Sequence, residues 1–294
     1  MDSKNIHNEL LALSQTPGAL ERSLNIGDQA ILIRGLDSTL ADDLSGRWGP
    51  FLTEPTDTRP FFTLQVYRGS ETGWLKREMT GERYRMEAVN PIEQRVILSY
   101  NFAILVPQQP DGWRVAINDQ DEEPAGRILE NVLRYLTARM AIAQGGLAMH
   151  AAGVLKNGKA YMFAGASRSG KTTITDLSAG AESLGDDMGM VIPAKSGWCV
   201  PALPFDNSEA VPQGAVEGCY PLAGIWRLHQ AGGHRIEQPQ TNLGIAALTA
   251  CTAFPWAYPE LADQLLEHVS RLVEDGLFAN LHFRKDAEFW SLLD

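Results

Sequence analysis

Cysteine is scarce in this chain of 294 residues, and so are long apolar runs and clusters of positive charge. The three cysteines, Cys199, Cys219 and Cys251, are widely spaced and form no C-x-x-C pair, which argues against a zinc site or a dithiol redox centre. Buried, reduced thiols in a cytosolic protein are the expectation. No run of about 18 apolar residues is present to span a bilayer. The opening MDSKNIHNELLALSQT lacks the basic start and continuous apolar stretch of a secretion signal. The chain therefore reads as soluble and cytoplasmic, with no membrane partner. Lys and Arg total 25 against 36 Asp and Glu, a formal net charge of -11 that repels polyanions at long range. With no Lys/Arg-rich run to overcome that field, no nucleic-acid partner is expected.

What is present is the balance of a folded chain: 44% apolar and 21% charged residues, enough to build a core and leave a charged surface. Residues 1 to about 60 carry weak signals, with a short helix predicted near Asn8 to Leu13. From Phe61 to Asn118, stretches such as FFTLQVY, RVILSYNFAILV and WRVAI alternate with Gly, Pro, Asn and Asp clusters, which predicts an antiparallel sheet of hairpins. In ILENVLRYLTARMAIAQ, the residues Leu129, Val132, Leu133, Leu136 and Met140 share one helical face, and Gly145 and Gly146 end that helix. Next comes LAMHAAGVLKNGKAYMFAG, two apolar runs around Asn157 and Gly158, a dipeptide suited to a two-residue hairpin turn. Further on, the pattern predicts a helix from Lys171 to Ser178, a strand ending near Asp186 and another from Met188 to Pro193. An irregular stretch from Trp198 to Gly218 precedes a strand LAGIWRLH. Helices over Asn242 to Ala253 and Glu260 to Asp275 follow, the second with Leu261, Leu265, Val269 and Leu272 on its apolar face and Gly276 as its stop. A strand over Leu277 to Phe283 and a short terminal helix complete the chain. The resulting division is a β-rich segment, 1–122, and an α/β segment, 123–294.

The segment GASRSGKT fits G-x-x-x-x-G-K-[ST] at Gly165, Gly170, Lys171 and Thr172, between a predicted strand and a predicted helix. Glycines let such a loop curl so that successive N–H groups, from Gly165, Ala166, Ser167, Arg168, Ser169 and Gly170 through Lys171, Thr172 and Thr173, face phosphate oxygens. The positive N-terminal end of the following helix adds to that field. Lys171 then reaches the outer phosphates of ATP, and the Thr172 hydroxyl takes Mg²⁺. Arg168 either neutralises phosphate charge or faces solvent at the loop tip. A loop of this kind establishes nucleotide binding and leaves kinase, GTPase, ATPase and nucleotide-gated binder open.

Soon afterwards the chain reads AESLGDDMGMVIP. The pair Asp186 and Asp187 can divide two tasks, one carboxylate orienting a metal and the other accepting a proton from an attacking hydroxyl. Neighbours in a regular strand point to opposite faces, so both serve one site only if the backbone bends, and Gly185 permits a bend. Turn or cap residues are the alternative reading of this pair.

The order MHAAGVLKNGKAYMFAGASRSGKTT followed by SLGDDMGMV resembles the catalytic domain of HPr serine kinase/phosphorylase and its shorter relatives, from about Arg127 onward. The later YPLAGIWRLHQAGGHRIEQP is similar to a strand and turn of those shorter relatives. The resemblance implies a P-loop kinase domain of the HPr kinase/phosphoenolpyruvate carboxykinase-like type, and transfer of the ATP γ-phosphoryl group to a serine hydroxyl. It also implies roles: Asp186 as general base, His150 as active-site histidine, Lys171 and Thr172 as phosphate and metal ligands, and Asp187 as metal-associated carboxylate. From the residues alone His150 reads as a hydrogen-bonded core histidine. Family members are often oligomers, which makes a homo-oligomer an expectation. The glycine-rich signature with an acidic metal ligand that follows the Asp pair in HPr kinases has no match between Lys195 and Gly218, where Asp206 or Glu209 are the available acids. HPr therefore does not follow as the substrate. The front half is closer to the sheet-rich half of the shorter relatives, some of which phosphorylate small peptide precursors. The acceptor expected is a serine on a protein or peptide; the rivals are a kinase of free serine or a similar metabolite, and a non-catalytic ATP-responsive binder.

Overall fold

A computed structural model describes residues 17–69, 86–89, 95–108, 112–118, 121–166, 168–205, 218–254 and 259–293. The helix predicted near Asn8 to Leu13, the loop residue Ser167 and the acids Asp206 and Glu209 lie outside the described residues. The chain is a mixed α/β protein that divides into two compact units, residues 1–25 with 29–136 and residues 26–28 with 137–294.

The first unit holds an eight-stranded sheet. It begins with β1 (Leu20–Ile26) and β2 (Gln29–Leu36), continues through helix α1 (Ser38–Trp48) to β3 (Leu52–Thr53) and β4 (Phe62–Gly69), and ends with β5 (Glu87–Val89), β6 (Val96–Leu98), β7 (Phe102–Leu105) and β8 (Trp113–Asn118). In space the order is β3-β1-β2-β4-β8-β7-β6-β5. Among the described residues, the predicted antiparallel hairpins occur in the β5–β8 half. β2 pairs with β4 in parallel, and so does β4 with β8. The reason is α1, which carries the chain across from β2 to β4, because parallel neighbours need a crossover. Weak sequence signals before residue 60 conceal that helix, yet Asp37 caps it, its carboxylate accepting from the Leu40 N–H at 2.8 Å.

The long helix α2 (Ala125–Ala143) follows, and the division between the units falls within it. Leu129, Val132, Leu133, Leu136 and Met140 are all fully buried, as the 3.6-residue period requires. Gly145, at φ 84°, ends it, with its N–H on the Ile142 carbonyl and that of Gly146 on the Ala141 carbonyl.

The second unit contains a nine-stranded mixed sheet. Its strands are β9 (Leu147–Met149), β10 (Ala151–Lys156), β11 (Lys159–Ala164), β12 (Glu182–Gly185), β13 (Gly189–Ala194), β14 (Gly197–Pro201), β15 (Cys219–Gln230), β16 (Arg235–Glu237) and β17 (Phe278–Phe283). Three helices accompany them: α3 (Lys171–Asp176), α4 (Thr241–Thr249) and α5 (Ala262–Glu274). The Asn157-Gly158 turn forms as predicted, both residues at positive φ, and joins β10 to β11 in register from Ala151 opposite Ala164 to Lys156 opposite Lys159. β11 then pairs in parallel with β15, and β15 with β17. Tyr161, Phe163, Trp226 and Phe283 of these strands pack into one aromatic cluster with Phe289 and Trp290 of the terminal turn Ala287–Leu292. Each large side chain so buried contributes about 1.5–3 kcal/mol.

Two expectations fail here. The stretch from Trp198 is not irregular at its start, because Gly197–Pro201 is a strand paired to β13 and β15. The thiols are not all reduced: Cys199 and Cys219 form a disulfide between β14 and β15, leaving Cys251 as the free, buried cysteine. Sequence spacing could not show that pairing, because only the antiparallel register brings the two Cα atoms to 5.5 Å. Among the described residues, no helix is long and apolar enough to cross a membrane.

Candidate functional site

The loop after β11 leaves the sheet at Gly165, whose N–H donates to the His150 carbonyl at 3.2 Å. Two glycines shape it for reasons of space. A Cβ on Gly165 would lie 2.5 Å from the Ser169 hydroxyl, and one on Gly170 would lie 2.6 Å from the Phe283 ring, at a backbone φ of 108°. Arg168, at φ 67°, completes the curl, and its carbonyl accepts from the Gln230 amide at 3.0 Å. Helix α3 then begins at Lys171. It runs only six residues, shorter than the sequence predicts, and so carries little helix dipole.

Lys171 folds back over the loop, its ammonium donating to the carbonyls of Gly165 at 2.9 Å and Ala166 at 3.2 Å. The Thr172 hydroxyl donates to Asp186 Oδ2 at 3.2 Å. That bond ties the glycine-rich loop to the Asp pair. Gly185, at φ 128°, makes the bend the pair requires; a Cβ there would meet the Met188 carbonyl at 2.9 Å. Beyond β12 the chain is therefore not extended at Asp186 and Asp187, and both residues line the same cavity as the loop.

This cavity measures about 650 Å³, within the range of small-molecule sites. Its walls bring together His150, Gly165, Ala166, Arg168, Gly170, Lys171, Thr172 and Thr173 with the two aspartates. Ser169 is not on that wall, but its hydroxyl is buried behind the loop with no hydrogen-bond partner among the described residues. His150 is not a core residue: it is exposed in the bend between β9 and β10. Its N–H donates to the Cys251 carbonyl at 2.8 Å, which holds that bend against the end of α4.

Sequence reasoning missed Arg227, Gln230, Ala250 and Cys251, which complete the wall. Arg227 arrives because it stands opposite Ala164 in the parallel β11–β15 pair, immediately before the loop. The signal for it was a single arginine inside the apolar strand LAGIWRLH. Burial raises the Cys251 thiol above its ordinary pKa, while the positive charges of Arg227 and Lys171 pull it the other way. The cavity thus carries a positive field from Lys171, Arg168 and Arg227 facing a carboxylate pair. Neither a family model nor a curated protein matches this chain.

Proposed function

We propose that the chain is an ATP-dependent kinase with a P-loop kinase domain of the HPr kinase/phosphoenolpyruvate carboxykinase-like type, transferring the γ-phosphoryl group to a serine hydroxyl on a protein or peptide. The observation that carries this reading is the 3.2 Å bond from Thr172 to Asp186, which sets a carboxylate beside the lysine of a phosphate loop in one cavity. The backbone amides of Lys171, Thr172 and Thr173, at the start of α3, suit phosphate oxygens. Lys171, released from the Gly165 and Ala166 carbonyls, matches the outer phosphates, and Arg227 adds charge where negative charge accumulates in transfer.

Thr172 uses its one hydrogen toward Asp186, which leaves its oxygen lone pairs for a cation, and Asp187 supplies a second hard oxygen. Those two residues would hold Mg²⁺, which supplies neutralisation of the phosphate charge. Asp186 accepts the proton of the acceptor hydroxyl as that oxygen bonds to the γ-phosphorus and the bond to ADP breaks. His150, exposed beside the loop, is placed to hydrogen-bond the same acceptor or the phosphate. Supply of ATP places the proposed reaction in the cytoplasm, where the Cys199–Cys219 bond would meet a reducing pool.

The test is Asp186→Asn assayed with γ-labelled ATP and candidate serine peptides. Retained ATP affinity with turnover down by about 10²–10⁴-fold is expected for loss of a general base. A wild-type protein that binds ATP without acceptor-dependent ADP release would be a binder, and label transferred to free serine alone would make it a metabolite kinase.

A further inference from the structure

A second concave site lies in the first unit, on the face of its sheet opposite the buried side chains of β4. Along β4 the residues alternate strictly: Phe62, Leu64 and Val66 are buried, while Thr63, Gln65 and Tyr67 are half-buried on the opposite face. The parallel register aligns Arg34 of β2 with Gln65 of β4, and Gln65 with Arg114 of β8. Three strands that are far apart in sequence thus place two exposed arginines in one row, on either side of a glutamine. Arg59, from the segment leading into β4, joins them around a cleft of about 560 Å³ floored by Leu32, Thr63 and Tyr67.

We propose that this face binds an extended, acidic stretch of polypeptide. The row supplies cations, an amide at its centre and a partly apolar floor, a combination that matches alternating carboxylates on a peptide backbone. Strands lie about 4.8 Å apart, so the two arginine Cα atoms are separated by about 10 Å. Carboxylates at alternate positions of an extended chain stand about 7 Å apart, a span two long arginine side chains can grip from outside. Guanidinium forks hold carboxylates with two parallel hydrogen bonds, which gives direction as well as attraction. The net charge of -11 on the whole chain repels long polyanions, but at physiological salt that field decays over about 8 Å, so the local arginines govern a short segment. One carboxylate already contacts this row: Glu21 of β1 reaches Arg34 Nε at 3.1 Å, with both side chains exposed. On the kinase reading the bound polypeptide is the phosphoryl acceptor, and only this last identification rests on that reading.

The experiment is fluorescence anisotropy of the full-length protein with a labelled glutamate-rich probe peptide, without ATP, so that binding is measured apart from turnover. The wild type should bind in a salt-sensitive manner, and R34Q/R114Q should weaken binding about tenfold or more. R34K/R114K, which keeps both charges, should retain most of the affinity, and Glu21→Gln, which releases Arg34, should tighten it a few-fold. Failure of the wild type to bind would overturn the proposal. So would equal affinity for a glutamine version of the peptide, undiminished binding by R34Q/R114Q, no tightening by Glu21→Gln, or displacement of the probe by a single-stranded oligonucleotide or by inorganic phosphate alone. Kinase activity without this binding would leave the catalytic reading standing and remove only the docking site.

Discussion

In the second unit the cavity lies beyond the strand ends, where the backbone turns away from the sheet at Gly165, Gly170 and Gly185. In the first unit the cleft lies on the face of the sheet and consists mostly of side chains from β2, β4 and β8, with Arg59 and Pro60 from the segment before β4. A cavity shaped by a turning main chain depends on a few positions that accept no Cβ. A site made of side chains on a paired face has no such position, and its strength changes by degrees as single groups are trimmed.

The sharpest way to break that contrast is to add one carbon to each kind of turn. Gly170→Ala forces a Cβ against the Phe283 ring at 2.6 Å and holds alanine at φ 108°. Strain of about 1–3 kcal/mol and a similar sum for overpacking must be relieved by moving the loop amides. ATP affinity, measured by calorimetry, should fall about a hundredfold or more. Gly158→Ala is the control: at φ 73° it too is strained, but open space surrounds it. It should cost about 1–2 kcal/mol of stability and leave ATP affinity unchanged. Equal effects of the two substitutions on ATP would show that the loop tolerates a side chain and that its shape is not what binds.

The same contrast explains how much was legible beforehand. Gly165 to Thr173, the Asp186–Asp187 bend and the Asn157-Gly158 hairpin are local: their glycines and their chemistry are neighbours in sequence, so pattern alone located them. His150 was placed in the site only by resemblance, since an apolar strand context pointed to the core, and the bend after β9 exposes it instead. Arg227 could not be assigned by spacing because a parallel pairing, not proximity in the chain, sets it opposite Ala164. The arginine row of the first unit was hidden for the same reason, and the hairpin-only reading of that sheet concealed the parallel pairs that create it. Turn chemistry is written locally, whereas parallel neighbours are chosen by crossover helices and burial.

The units differ also in cross-linking: all three cysteines belong to the second. The Cys199–Cys219 bond closes a segment of sequence separation 20, for which chain entropy predicts about 3 kcal/mol of stabilisation. C199S/C219S should lower the midpoint of thermal unfolding followed at the second unit's tryptophans, and reductant should do the same to the wild type but not to the variant. Binding of the acidic probe peptide to the first unit should be indifferent to reductant. Sensitivity of that binding to reduction would show that the disulfide acts on the first unit as well.

The smallest expected effect concerns Cys251, buried on the wall of the second unit's cavity. Burial disfavours its thiolate more than Arg227 and Lys171 favour it, so its pKa lies above the ordinary 9.0. The unfolded thiol therefore loses its proton first as the pH rises. The stability that Cys251 contributes through staying neutral is complete below about pH 9, and is lost as the pH climbs through the folded-state pKa. The stability difference between the wild type and Cys251→Ala should narrow above that point. Iodoacetamide should modify Cys251 more slowly than a free thiol at pH 8, with the inflection of its rate profile above 9.0. Adding ATP should slow the reaction further, because the nucleotide would cover the same wall. An inflection below 9.0 would mean that the cavity's positive charge outweighs burial.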